Sequence, residues 1–492
     1  MASILIKNGL IVDGTGIQPE KNDIFIRNGR IVEIGNLKKI PADQTIDAVN
    51  AVVAPGFIDI GSEIDHSLEI FSGSGQNSFI RQGITTAVGG NGGWSLAPII
   101  NEFSLDFMAP GRQRPDNIGV NFNWRDVKEF LGRLVKGGLR MNFATLAGYS
   151  NFRRAFSELA ARDLTEKETA AIAAAVRKSL RDGAFGCSIN FNDILEGKIP
   201  DLEILDLMMA VAEKNGVLAL RFGHRLENIV AGLEKVISLA KQAGVNLEIG
   251  RFQPLAGGTA ESRKIIKIIE EAALGQQIGF DCVLTKTVVV EPRFFLPAPL
   301  DRSDRRTILS ILTEKEWLVK IDKNFRSFDP EKIFVRQAPA PFDFLAGQSL
   351  ADFSEKHGLP PARGLVKLLG MTAGNISFFY RNIDEEILQE AALSSFSVIT
   401  AGHSSDSMGN FLRIAATANW PVEKIIAKLT GQPARKYRIT GRGFVKKDFF
   451  ADLIVLRDQK PSVVIINGQI VFDESGNGAG GSFYGQALAF GK

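Results

Sequence analysis

The fold class predicted from this sequence is α/β: a (β/α)8 TIM-like barrel carrying a small β-sandwich built from both termini. Three observations predict it. Short apolar runs recur at 57–61, 84–90, 141–149, 183–190, 217–224, 245–252, 278–284 and 396–402. Helical patterns lie between many of them, the alternation that a parallel barrel requires. The two ends read differently, as short strands joined by turns, which argues for one β domain assembled from both.

The N-terminal strands are legible as Ile4-Leu5-Ile6-Lys7, Asp23-Ile24-Phe25-Ile26 and Arg30-Ile31-Val32-Glu33-Ile34. The Asn-Gly pairs at 8–9 and 28–29 are the turn dipeptides of tight hairpins. The same style returns at 451–456 and 463–472. In the middle, Thr165-Glu166-Lys167-Glu168 has the spacing of a capping box opening a helix toward Gly183. The segment 226–243 places Leu226, Ile229, Val230, Leu233, Val236, Ile237 and Ala240 on one helical stripe. The boundaries implied are 1–55 and 436–492 for the two parts of the β domain and 56–435 for the barrel. A wide gap before the last run implies a partly helical insertion at about 285–345.

Composition narrows the function classes. A hydrophobic content of 45% and a charged content of 23% are those of a globular chain. A net charge of +3 gives no electrostatic case for nucleic acid. No apolar run reaches the roughly 20 residues that span a bilayer, and the N-terminus lacks a signal-peptide apolar region. A cytoplasmic location is therefore expected. Cys187 and Cys282 are the only cysteines, too few for a disulfide framework and without zinc-site spacing; each falls on an apolar run and reads as core.

The histidine count bears on chemistry. His66, His224, His357 and His403 are the only four, about as many as a two-metal hydrolase spends on ligands alone. No Gly-x-Ser-x-Gly elbow is present, and Ser62, Ser188, Ser404, Cys187 and Tyr149 form no convincing nucleophile–base set. Gly89-Gly90-Asn91-Gly92-Gly93 lacks the Gly-Lys-Ser/Thr ending of a phosphate loop and reads as a tight turn after a strand. Arg302, Arg305 and Arg306 read as a solvated face of the insertion. The adjacent pairs Phe294-Phe295, Phe378-Phe379 and Phe449-Phe450 cannot both face inward on a regular strand, which allows a contact in a homo-oligomer.

With "VVAPGFID" at 52–59, "QGITTAVGGNGGWSLAP" at 82–98, "NFATLAGYSNFRRA" at 142–155, "DGAFGCSINFN" at 182–192 and "GQPARKYRITGRGFVKKDFFADLIVL" at 431–456, the chain resembles the amidohydrolase superfamily. Within it the resemblance is to the N-acyl-D-amino-acid deacylases, or D-aminoacylases, and it covers nearly the whole chain. It implies a metal-bearing barrel, a β-sandwich from both ends and hydrolysis of an amide C–N bond.

The same resemblance implies metal ligands that this chain does not supply. A His-x-His pair after the first strand is replaced by Gly61 and Glu63, and a bridging cysteine by Gly92. The histidines ending the fifth and sixth strands are replaced by Arg221 and Arg251, and a histidine after the third by Tyr149. The acid after strand eight has Asp406 as a candidate, with His403 as the other occupant. Glycine has no ligand atom, and arginine is cationic with no lone pair to give.

The expectation is a protein lacking the binuclear site, with Glu63, Arg221, Arg251, Tyr149 and Asn91 as ligand-binding residues and Asp406 as the one catalytic candidate. A salt bridge from Arg221 or Arg251 to Glu63 or Asp406 is predicted, since an unpaired buried arginine costs several kcal/mol. With Asp406 outside, the mouth is net cationic and suits a small anionic or carboxylate-bearing ligand. No cofactor is expected; the alternative is one zinc in a relocated site built from Glu63, Asp65 and Asp406, serving an active amide hydrolase.

Overall fold

The computed structural model describes residues 3–37, 39–101, 120–156, 162–195, 199–223, 228–303, 305–402, 406–476 and 482–491. His224, His403 and Ser404 lie outside the described residues, as does the side chain of Arg302.

Eight parallel strands form the barrel: Phe57–Asp59, Ile84–Gly89, Asn142–Thr145 continued by Ala147–Gly148, Gly186–Asn190, Val217–Arg221, Asn246–Phe252, Ile278–Cys282 and Ser397–Ile399. They hydrogen-bond in two arcs, one of the first three strands and one running from Ala147–Gly148 round to the eighth. The arcs meet at the third strand, broken at Leu146. Strand eight meets strand one through a side chain: Asp59 Oδ1 accepts the Ala401 N–H at 3.0 Å and the Gly61 N–H at 3.3 Å. Ile58, Val88, Ala144, Leu146, Phe185, Val217, Ala219 and Val398, contributed from around the ring, share one buried cluster. That interior packing is what a closed barrel of alternating strands produces.

The opposite alternation faces the helices. Cys187, Leu218, Leu220, Leu247, Ile249, Phe280 and Cys282 join the large core between strands and helices, and both cysteines are buried there as expected. The capping box at Thr165 is present, with its side chain accepting from Glu168 N and that of Glu168 reaching back. The predicted helix at 226–243 runs as Ile229–Ala243 and closes on Gly244. Among the described residues no helix is long and apolar enough to cross a membrane.

Strands from both termini form one eight-stranded sheet. Val52–Pro55 pairs antiparallel with Leu453–Arg457, so the two ends of the chain meet in its middle. Asn28-Gly29 makes the two-residue turn between Glu20–Arg27 and Arg30–Gly35. Asn8-Gly9 does not turn the chain. It lies inside the strand Ile4–Ile11 as a bulge, where the left-handed Asn8 shifts the register while pairing with Glu20–Arg27 continues. Asp452 pins the sheet to the barrel: it accepts from Arg442, from Asn142 Nδ2 at 3.0 Å and from Asn467 N at 2.7 Å.

The insertion is larger than the predicted 285–345. Its three-stranded antiparallel sheet places Ser377–Tyr380 between Val288–Val290 and Ile333–Gln337. Helices Arg305–Ile311, Lys315–Phe325, Leu350–Lys356 and Pro361–Met371 pack around it over a separate core. Phe295 and Phe378 are buried in that core, and Phe294 packs on Phe328 and Tyr380. Phe450 is sandwiched between the guanidinium groups of Arg30 and Arg442, 4.1 Å and 4.0 Å from its ring centre. These phenylalanines therefore have partners within the chain.

Candidate functional site

The C-terminal ends of the barrel strands converge on Glu63. Strand one ends at Asp59, and the turn that follows carries Gly61, Ser62 and Glu63 inward. Alternation along Val217–Arg221 buries Leu218 and Leu220 against the helices and turns Arg221 to the barrel interior. Arg221 Nη1 lies 2.5 Å from Glu63 Oε1, and Arg251 Nη1 pairs with the same oxygen. The Glu63 side chain is 1% exposed, that of Arg251 8% and that of Arg221 27%. One deep carboxylate is thus clamped by two cations, with Arg221 outermost. The predicted ion pair is present with both arginines, on Glu63.

A third element completes the cluster. Asp281, on strand seven, accepts the backbone N–H of Arg251 at 2.9 Å and the Thr400 hydroxyl at 2.9 Å, both at Oδ1. Burial raises its carboxyl pKa to about 6, against the pull of those hydrogen bonds and of Arg251 and Arg221. Asp59 is pushed up to about 7 by burial, with Asp281 adding repulsion. Glu248, deeper on strand six, is raised to about 7 by burial against the attraction of Lys436.

The remaining predicted residues lie elsewhere or serve other ends. Asp406 is exposed at the start of the helix Ser407–Thr417 and pairs with Arg413 at 2.8 Å. It is not part of the cluster; Thr400, Ala401 and Gly402 directly follow strand eight and bring no acid there. The mouth is consequently not net cationic as expected with Asp406 outside: Asp281 is the second acid, and two guanidinium groups face two carboxyls. Tyr149 is buried with its hydroxyl donating to Glu203, which also binds Arg153 Nε at 2.9 Å. Burial and the Glu203 charge hold its phenol well above the usual range. Asn91 spends its Nδ2 on the carbonyls of Val88, Ser62 and Ile60, at 2.9, 3.2 and 3.3 Å, tying the ends of the first two strands together.

Do these residues fit a metal pair? At Gly61 an added Cβ would meet the Thr400 side chain at 2.9 Å, and at Gly92 it would meet Arg221 Cδ at 2.8 Å. The space a ligand side chain would need at both positions is therefore filled. Glu63, the carboxylate at the centre, is already paired with two guanidinium groups, which repel a dication. The relocated set of Glu63, Asp65 and Asp406 is not assembled either, because Asp406 points to solvent and pairs with Arg413, while Asp65 Oδ2 accepts the Gly90 N–H at 2.7 Å. Among the described residues no three His, Cys, Asp or Glu side chains group as a metal ion needs. The described donor set does not fit the binuclear centre.

Gly92 sits at φ 71° beneath Arg221. Gly92→Ala is expected to destabilise by about 1–3 kcal/mol, from left-handed strain and displacement of that arginine. Urea unfolding checks it, and adding Arg221→Ala should recover the steric part.

No family model matches the chain. Curated relatives do. A D-aminoacylase of Alcaligenes xylosoxydans xylosoxydans is 25% identical over 471 residues, covering 92% of this chain and 87% of that one. An N-acyl-D-aspartate deacylase of the same organism is 25% identical over 529 residues, 99% and 95% of the two chains. Among solved structures, the N-acyl-D-glutamate deacylase of Bordetella bronchiseptica, complexed with zinc and a phosphonate inhibitor, superposes with a TM-score of 0.78 at 21% identity over 99% of both chains. The eight barrel strands, the β domain from both termini and these full-length similarities agree: the chain has the fold of the D-aminoacylases and is similar to them along nearly its whole length.

Proposed function

We propose that this protein is a non-catalytic homologue of the D-aminoacylases, one that has lost the binuclear metal site and serves as a ligand-binding or structural subunit. The observation that carries the reading is the clamp of Arg221 and Arg251 on Glu63. Metal-assisted hydrolysis needs an ion to lower the pKa of a bound water and polarise the scissile carbonyl. Two guanidinium groups at the strand ends supply neither a ligand for that ion nor a base.

Arg221, the outermost member of the clamp, is the group a small anionic or carboxylate-bearing ligand would meet first, bidentately through its planar fork. The relatives named above act on N-acyl-D-amino acids, so those carboxylates are the first ligands to try. The protein should show no zinc-dependent release of the amino acid from N-acetyl-D-aspartate or N-acetyl-D-glutamate. Binding of either should weaken on Arg221→Ala. Turnover that rises with added zinc would instead support the alternative, an active amide hydrolase with a single relocated metal.

A further inference from the structure

We propose that Asp281 is a positioning residue: it holds a one-residue bulge at Arg251, and that bulge is what brings the Arg251 guanidinium onto Glu63. The clamp is built this way whether or not the mouth binds a ligand.

Strand six, Asn246–Phe252, shows the bulge in its burial pattern. Leu247 and Ile249 pack in the core between strands and helices, while Glu248 pairs with Lys436. Regular alternation would send residue 251 to the helix side with Leu247 and Ile249. Instead Phe252 takes that side, tilted against Phe222 and edge-on to Phe280, and Arg251 turns inward. The pairing with strand seven slips between Ile249 and Phe252, and Arg251 has φ 62°. A non-glycine residue in that region is strained and needs surrounding structure to fix it.

Asp281 supplies the fixing contact. Its Oδ1 takes the Arg251 N–H at 2.9 Å, and the Thr400 hydroxyl on the same oxygen orients the carboxyl from strand eight. Gly250 lets the carboxyl come close: a Cβ there would lie 3.0 Å from Asp281 Oδ2, so the carboxyl would have to give by a few tenths of an ångström. The contact is to the main chain, so an uncharged acceptor of the same shape should serve as well as the carboxylate.

Asp281→Asn and Asp281→Ala separate the two roles. In crystal structures Asp281→Asn should keep the left-handed Arg251 and its pair with Glu63; Asp281→Ala should let residue 251 extend and withdraw the guanidinium. In solution, each substitution is combined with Arg251→Gly, because glycine holds the bulge without help. Asp281→Ala should couple to Arg251→Gly by about tenfold in the unfolding constant, and Asp281→Asn should couple little. Should Asp281→Ala fail to fold, Asp281→Leu, which fills the space but offers no acceptor to the Arg251 N–H, is read the same way. A bulge that survives Asp281→Ala or Asp281→Leu, or equal coupling for Asn and Ala, would overturn the proposal.

Discussion

Glu63→Ala lowers the stability of the folded protein by about 3–5 kcal/mol, the cost of leaving a buried charge without its counterion. The reason lies in unequal burial: Arg251 has an 8% exposed side chain, so its guanidinium cannot turn to water when the carboxylate goes, whereas Arg221 at 27% largely can. The double variant Glu63→Ala with Arg251→Ala should therefore be more stable than Glu63→Ala alone, since it removes the stranded cation. Urea unfolding of the four proteins in the cycle measures this. Additive losses would mean that the two side chains do not share a buried pair.

Stability should also fall as pH rises from about 4 to about 7, opposite to the usual behaviour of surface carboxylates. Burial raises the carboxyls of Asp59 and Glu248 to about 7 and that of Asp281 to about 6, each well above the ordinary carboxylate range. In this window the unfolded chain has lost these protons while the folded chain retains them. The native state binds more protons, so the slope of unfolding free energy against pH is negative. Stability is greatest below the unfolded pKa and is lost as pH climbs through the folded values. For Asp59 a shift of that size corresponds to on the order of 4 kcal/mol. Urea midpoints at pH 5, 6, 7 and 8 at constant ionic strength should decline. Asp59→Asn, which keeps an acceptor for Ala401 N–H, should flatten the decline. A flat or rising profile in the native protein would contradict the burial of these acids.

Much of the fold was legible because its signals are local. Apolar runs, the Thr165 capping box and the Asn28-Gly29 turn each depend on a few adjacent residues. The clamp was legible because two arginines at strand ends near a buried glutamate must find a counterion. What escaped was non-local. "LEIGRF" reads as a regular strand, and nothing in it reveals that Asp281, thirty residues on, bends it at Arg251. Asp281 itself stood beside Cys282 in an apolar run, with no sign that it would supply the acid sought at Asp406. Asp406 follows strand eight closely in sequence, but that distance says little about where the next helix starts; it lies at that start, facing solvent. The position of Tyr149 after strand three points to the mouth, but a partner fifty-four residues away, Glu203, claims its hydroxyl. The Asn8-Gly9 pair has the composition of a turn, yet strand pairing on both sides of it made a bulge.

The most direct test is the metal content of the protein, purified without chelator from cells grown with added zinc and measured by elemental analysis. A barrel mouth closed by Arg221, Glu63 and Arg251 should carry well under one zinc per chain, and Glu63→Ala should not raise it. One or more tightly held equivalents in the native protein, lost on substitution at the mouth, would contradict the account.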